Sequence, residues 1–239
     1  MNKTFVLVHG AWSGGWCYAR VAELLRSRGH RVFTPTLTGL GERSHLAGLF
    51  PITYSTHIQD IVNVIHWERL HEVVLCGHSY GGMVITGAAD ALADRISALV
   101  YLDAIIPEAG KSLFDVNRSA QVVGALLQAT VASGGQLAPA LPAVAFGINS
   151  ADAALVDRFS TPHPLASFCE PAALTGAWRK IRKKTYVRAT GWPGYEQLGF
   201  FSYQSIADDP DWVRLDVPCG HAVMLDAPDA LADILVDAS

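Results

Sequence analysis

Ser79 sits in the run Gly77-His78-Ser79-Tyr80-Gly81, whose spacing suits a hydroxyl presented for attack on a carbonyl carbon. A serine is a weak nucleophile at its own pKa and needs an adjacent base to take its proton. The run follows the apolar stretch Glu72-Val-Val-Leu-Cys76 and precedes a small-residue helical pattern beginning Gly82-Met-Val-Ile. A strand that turns sharply into a helix leaves the serine exposed above the sheet edge, and a side chain at Gly77 or Gly81 would collide with neighbouring backbone. That context reads as a nucleophile elbow rather than a helix-capping serine in a glycine-rich turn.

The elements that must position this serine alternate along the chain. Strand patterns at Thr4 to Val8, Arg31 to Phe33, Val73 to Cys76 and Ala98 to Leu102 are separated by helical patterns at Tyr18 to Arg28, His57 to Trp67 and Gly82 to Ala93. Such alternation predicts right-handed crossovers and a mostly parallel sheet flanked by helices. Gly29 is placed to end the first helix, and Ile58, Ile61, Val62 and Ile65 form one stripe facing the sheet. The alternation stops after Pro107. Residues 108–180 carry short helical patterns (Ser112 to Leu127, Ala151 to Phe159), a Gly/Pro/Ala-rich stretch (Ser133 to Gly147) and the Pro-broken Thr161-Pro-His-Pro-Leu165. They read as a cap inserted into a core formed by 1–107 and 181–239. Strand patterns resume at Lys184 to Ala189 and Trp212 to Val217, and a final helix runs from Pro228 to Val236 with Asp226 as its expected cap.

Composition narrows the class. Only 17% of the 239 residues are charged, below the usual quarter, which fits extensive burial in a single α/β domain better than a charged adaptor. A net charge of -4 supplies no basic field for phosphate backbones or anionic lipid, so nucleic-acid and membrane partners are not expected. The chain opens Met1-Asn2-Lys3 and enters a strand pattern at once, which reads as a cytoplasmic protein. Cys17, Cys76, Cys169 and Cys219 are scattered and read as free thiols. No His/Cys/Asp set has metal-ligand spacing, and the glycine-rich loops lack a phosphate or dinucleotide fingerprint, so neither metal nor cofactor is implied.

His9-Gly10-Ala11-Trp12, the Ser79 elbow and Cys219-Gly220-His221 together resemble the α/β-hydrolase superfamily over nearly the whole chain outside the cap. Within it, Phe5 to Trp12, Gly15-Trp16-Cys17 and Gly77 to Met83 resemble the branch of plant methyl esterases and hydroxynitrile lyases and its bacterial esterase relatives, including pyrethroid hydrolases. In the plant lyases threonine follows the first-strand histidine and lysine follows the catalytic histidine. Here those positions are Gly10 and Ala222, which favours ester hydrolysis.

The resemblance implies a triad with Ser79 as nucleophile and His221, in the loop after the last strand, as base. It assigns the oxyanion hole to the backbone N–H groups of Ala11 and Tyr80. Most relatives place an aspartate just after the strand equivalent to Thr185 to Ala189, but this chain reads Thr190-Gly-Trp-Pro-Gly194 there. Asp103, ending the strand after the elbow helix, is the candidate acid, because some family members carry theirs at that strand end. Asp216 and then Glu196 are the alternatives. Of the other histidines, His9 is expected to shape the first-strand loop and His78 to sit under the elbow, with His45 and His163 as loop or cap residues. Trp12, Phe114, Phe168, Trp178 and Trp192 are expected to face an apolar substrate pocket; Arg43 reads as a loop-bracing charge. The function implied is a serine carboxylesterase acting on small to medium, largely apolar esters through an acyl-enzyme. A receptor-like ligand binder with little turnover and a cofactor-free carbon–carbon lyase or hydrolase are the competing readings, and a dimer of identical chains is left open.

Overall fold

The computed structural model describes residues 2–192, 194 and 202–239. Strands β1 (Thr4–Val8), β2 (Arg31–Phe33), β3 (Val73–His78) and β4 (Ile96–Leu102) alternate with helices α1 (Ala19–Ser27), α2 (Tyr54–Trp67) and α3 (Gly81–Ala91). The segment that follows carries α4 (Leu113–Val116), α5 (Ala120–Ala129), a short hairpin of β5 (Leu137–Ala138) and β6 (His163–Pro164), and between these strands α6 (Ser150–Phe159), with α7 (Ala166–Cys169) after them. The alternating pattern returns with β7 (Lys183–Ala189), α8 (Ser202–Ser205), β8 (Trp212–Val217), α9 (Val223–Asp226) and α10 (Pro228–Asp237). The main sheet has the order β2-β1-β3-β4-β7-β8, and every pair in it is parallel.

A parallel sheet covered on both faces needs strands that are apolar on both sides. In β1, Val6 and Val8 enter one buried cluster with Ile61 and Ile65 of α2 and Met83, Val84 and Ile85 of α3. Phe5 and Leu7 enter the other, with Val21 and Leu25 of α1 and Leu231 and Leu235 of α10. Adjacent strand residues therefore supply opposite cores, which leaves the C-terminal strand ends as the place for chemistry.

Local sequence sets most boundaries. Helix α1 ends where Gly29 adopts φ +85° and the Gly29 and His30 N–H groups return to the Arg26 and Leu25 carbonyls, as the glycine predicts. Helix α2 begins at Tyr54, earlier than the apolar stripe suggests, because Thr53 and Thr56 form a reciprocal capping box. The single helical pattern expected from Ser112 to Leu127 is two helices. Asn117 accepts from the Ser119 N–H and Ser119 accepts from the Val122 N–H, so these short polar side chains compete with the helical ladder and restart it. Asp226 does not cap α10: Ala227 occupies that position with Pro228 behind it, and the Asp226 carboxylate is engaged by Gly220 and Asn149.

Candidate active site

Two adjacent strands end in strained backbone. Ser79 follows β3 with φ +55° and Asp103 follows β4 with φ +42°, and the preceding residues, His78 and Leu102, are register partners. Positive φ at a non-glycine residue costs about 1–3 kcal/mol and persists only where surrounding contacts enforce it. For Ser79 those contacts are its N–H to the Leu102 carbonyl at 3.2 Å and its carbonyl, which accepts from Gly82 and Ile105 at 3.0 Å each. For Asp103 they are its N–H to Val187 at 2.7 Å and the bracketing of Ala104 by the Tyr186 hydroxyl. The elbow is tight enough that a Cβ at Gly77 would lie 2.4 Å from the Gly81 carbonyl oxygen, and one at Gly81 2.7 Å from the Val8 and His9 carbonyl oxygens.

His221 lies in the loop between β8 and α9, and its Nδ1–H donates to Asp103 Oδ2 at 2.7 Å. Asp103 Oδ1 accepts from the Ala189 N–H at 3.2 Å. Both side chains are about 95% buried. With the proton on Nδ1, Nε2 of the imidazole carries the lone pair needed to receive a hydroxyl proton. Ser79 and His221 line the same cavity. The imidazole is held on three sides: Trp192 at 4.6 Å, His78 at 4.4 Å and Phe146, stacked at 5.5 Å between centroids. The His221 backbone is fixed as well, its N–H donating to the Phe146 carbonyl at 3.1 Å and its carbonyl accepting from His78 Nε2–H at 3.0 Å. Behind this loop, Asp226 accepts from the Gly220 N–H and from Asn149 Nδ2, and Asn149 also donates to Asp152, which takes a two-pronged ion pair from Arg20.

The Ala11 and Tyr80 N–H groups meet no protein acceptor among the described residues, and both residues line the cavity that reaches Ser79. Next to them, Trp12 adopts φ +62°. Two cavities flank Ser79. The larger, about 270 Å³, is lined by Phe114, Phe168, Tyr80 and the aliphatic residues of α5, with no charged side chain. The smaller, about 60 Å³, is bounded by His221, Cys17, Val156 and Met224. Trp12, Phe146 and Leu141 border both.

The other acidic candidates are elsewhere. Asp216 points out of β8 into a half-exposed ion pair with Arg188 at 2.6 Å, which holds its carboxyl below the usual range. Glu196 lies outside the described residues. Among the expected pocket aromatics, Trp12, Phe114 and Phe168 line the larger cavity, whereas Trp192 packs on the imidazole instead. Trp178 does not reach the site. It precedes β7 and packs against Trp212 at the start of β8, so it lies at the N-terminal edge of the sheet, opposite Ser79. Arg43 braces its loop through the Thr36 carbonyl and Asp60. Sequence reasoning missed Phe146 and the grip of His78 on the His221 carbonyl; both act across tertiary contacts that leave no local signal.

Burial also keeps His9 and His57 neutral. His9 accepts from the Leu37 N–H and donates from Nδ1 to the Gly10 carbonyl, and burial pushes its pKa down to about 4. His57, buried and likewise pushed to about 4, accepts from the Tyr80 hydroxyl and donates to the Thr38 carbonyl. A Cβ at Gly10 would lie 2.8 Å from Ser79 Cβ, so a threonine there would press on the nucleophile.

Comparison with known proteins identifies the family. Residues 5–234 match the model of the alpha/beta hydrolase family. The chain is 43% identical to a carbendazim hydrolyzing esterase of Nocardioides sp. (strain SG-4G), with 97% of each chain covered. It is 36% identical to a pyrethroid hydrolase of Sphingobium wenxiniae over 44% of this chain and 37% of that one. An extracellular alpha/beta-hydrolase from a Paenibacillus species superposes with a TM-score of 0.83 at 25% identity, covering 99% of both chains. The chain belongs to the alpha/beta hydrolase family, among its carboxylic ester hydrolases.

Proposed function

We propose that the chain hydrolyses small to medium, largely apolar esters through an acyl-enzyme on Ser79, with Asp103 and His221 completing the triad and Ala11 and Tyr80 forming the oxyanion hole. The observation that carries this reading is the buried His221–Asp103 hydrogen bond at 2.7 Å, in a site where Ser79 is held in a strained turn. The Ser79 oxygen attacks the ester carbonyl as His221 Nε2 takes its proton. The carbonyl oxygen gains charge and is received by the two N–H groups, while Asp103 steadies the imidazolium. Collapse breaks the bond to the alcohol oxygen, which leaves with the proton from His221. Water then enters the same cycle, and the acid departs.

The proton must reach the leaving oxygen, so the alcohol belongs on the His221 side, in the 60 Å³ cavity. The acyl group then fills the 270 Å³ cavity. A small alcohol joined to a larger, uncharged acid fits this partition best, and carbendazim, which the 43% identical relative is named for hydrolysing, belongs in the test panel. Ala222, beside His221 and buried, offers no cation for cyanide handling, which weighs against the lyase reading.

The test is a panel of p-nitrophenyl and methyl esters plus carbendazim, assayed with the parent and Ser79→Ala. An initial burst of p-nitrophenol and its loss in Ser79→Ala are expected. Tight ligand binding with negligible turnover across the panel would replace this reading by a receptor-like one.

A further inference from the structure

We propose that His163, a buried residue of the inserted segment, is a positioning residue for the oxyanion hole: it holds the turn that presents the Ala11 N–H. This rests on the assignment of Ala11 and Tyr80 as the oxyanion donors. His163 Nδ1 accepts from the Trp12 N–H at 3.3 Å. Two residues earlier, just ahead of β6, the Thr161 N–H donates to the Trp12 carbonyl at 2.8 Å. The peptide groups on both sides of Trp12 Cα are thus gripped by one segment, and the Trp12 indole adds a third tie from Nε1–H to the Ala138 carbonyl on the neighbouring strand β5. Trp12 is the residue at φ +62°, and an unfavourable conformation needs such enforcement to persist.

The ring of His163 can make only one choice of tautomer. Accepting at Nδ1 puts its proton on Nε2, which donates to the Ser167 hydroxyl at 2.8 Å, and that hydroxyl donates onward to the Pro164 carbonyl. The ring also stacks on Phe168 at 4.2 Å between centroids and meets the Tyr80 ring edge at 4.9 Å. His57 holds the Tyr80 hydroxyl. One donor of the hole sits on the residue before Trp12 and the other on Tyr80, so the His163 imidazole touches the supports of both. It is fully buried, and desolvation depresses its proton affinity, which keeps Nδ1 available as an acceptor. Seating of the inserted segment on the core and assembly of the oxyanion hole are therefore one event.

The test compares His163→Leu, which removes the acceptor, with His163→Asn, whose Oδ1 can occupy the place of Nδ1. Readouts are kcat and KM on a p-nitrophenyl ester, and inhibition by an aryl trifluoromethyl ketone, which forms a hemiketal oxyanion on the serine, against the matching methyl ketone. For His163→Leu, kcat is expected to fall by about 10- to 100-fold with KM changed less than about threefold, and trifluoromethyl ketone affinity to fall by a similar factor. His163→Asn should recover most of both, a rescue that lost packing alone would not produce. Parent-like kcat in His163→Leu, or equal losses in the two variants, overturns the proposal. Should His163→Leu fail to fold, Ser167→Ala decides, since it removes the partner that fixes the tautomer: kcat and ketone affinity lowered together support the proposal, and parent-like values overturn it. A parent enzyme that binds the trifluoromethyl ketone no better than the methyl ketone would remove the oxyanion assignment itself and this inference with it.

Discussion

Replacing Asp103 with asparagine keeps the side-chain shape but sets its two contacts against each other. Oδ1 now accepts from the Ala189 N–H and Oδ2 from His221 Nδ1–H, and an amide can satisfy only one of these donors. If the amide oxygen serves Ala189, the NH₂ faces Nδ1 and drives the imidazole proton to Nε2, where it cannot accept from Ser79. If the oxygen serves His221, two N–H donors oppose each other in a site that is about 95% buried, at about 1–3 kcal/mol. Either arrangement also removes the charge that steadies the imidazolium. Together these losses amount to about 5 kcal/mol, or roughly 10⁴-fold in turnover. The assay is steady-state hydrolysis of p-nitrophenyl acetate, with thermal melts to show that Asp103→Asn is folded. A folded variant retaining more than about a tenth of parental kcat would refute the argument and the role given to Asp103.

Asp216→Asn should stay within about twofold of the parent in turnover and within about 1 kcal/mol in stability, because it loses only a half-exposed pair with Arg188; urea melts and the same ester assay check both. Val156→Ala opens the 60 Å³ cavity and should raise kcat/KM for butyl relative to methyl esters by about tenfold, read from competing substrates. An unchanged ratio would place the alcohol elsewhere. Stability should fall on acidification from pH 6.5 toward 4. His9 and His57 stay neutral in the folded chain down to about 4 while the unfolded chain takes up protons from about 6.5, so each contributes a slope of up to about 1.4 kcal/mol per pH unit in that window. Urea midpoints measured across pH 4 to 8 report it.

The parts of the fold carried by local chemistry were legible: alternating strands and helices, the glycine that ends α1, and the glycines that permit the elbow. The helix boundaries that missed were set by side-chain competition at Asn117 and Ser119, and by the Thr53–Thr56 box, where polar residues outweigh the apolar stripe. At the site, Ser79 announces itself by its flanks, and Asp103 became the candidate because no carboxylate stands directly after β7, where Thr190 to Gly194 follow. Trp178 illustrates the opposite case. Its aromatic character is the same as that of Phe168, but its position before β7 places it at the wrong end of the sheet. Asp226 looked like a helix cap and instead anchors the loop bearing His221, because Asn149, distant in sequence, arrives beside it. His163 reads as one polar residue in a proline-broken stretch; its acceptor role exists only once Trp12 is brought against it.

The backbone at Ser79 also bears on how the chain can be made more stable. Ser79 occupies a left-handed conformation that glycine would adopt at ease, so the position given the nucleophile's role is also a place where the chain could gain heat resistance by surrendering its activity. Libraries of this protein selected for thermal tolerance alone would accumulate inactive sequences at this position. Durable working variants must instead draw their gains from surfaces remote from the β3 and β4 termini.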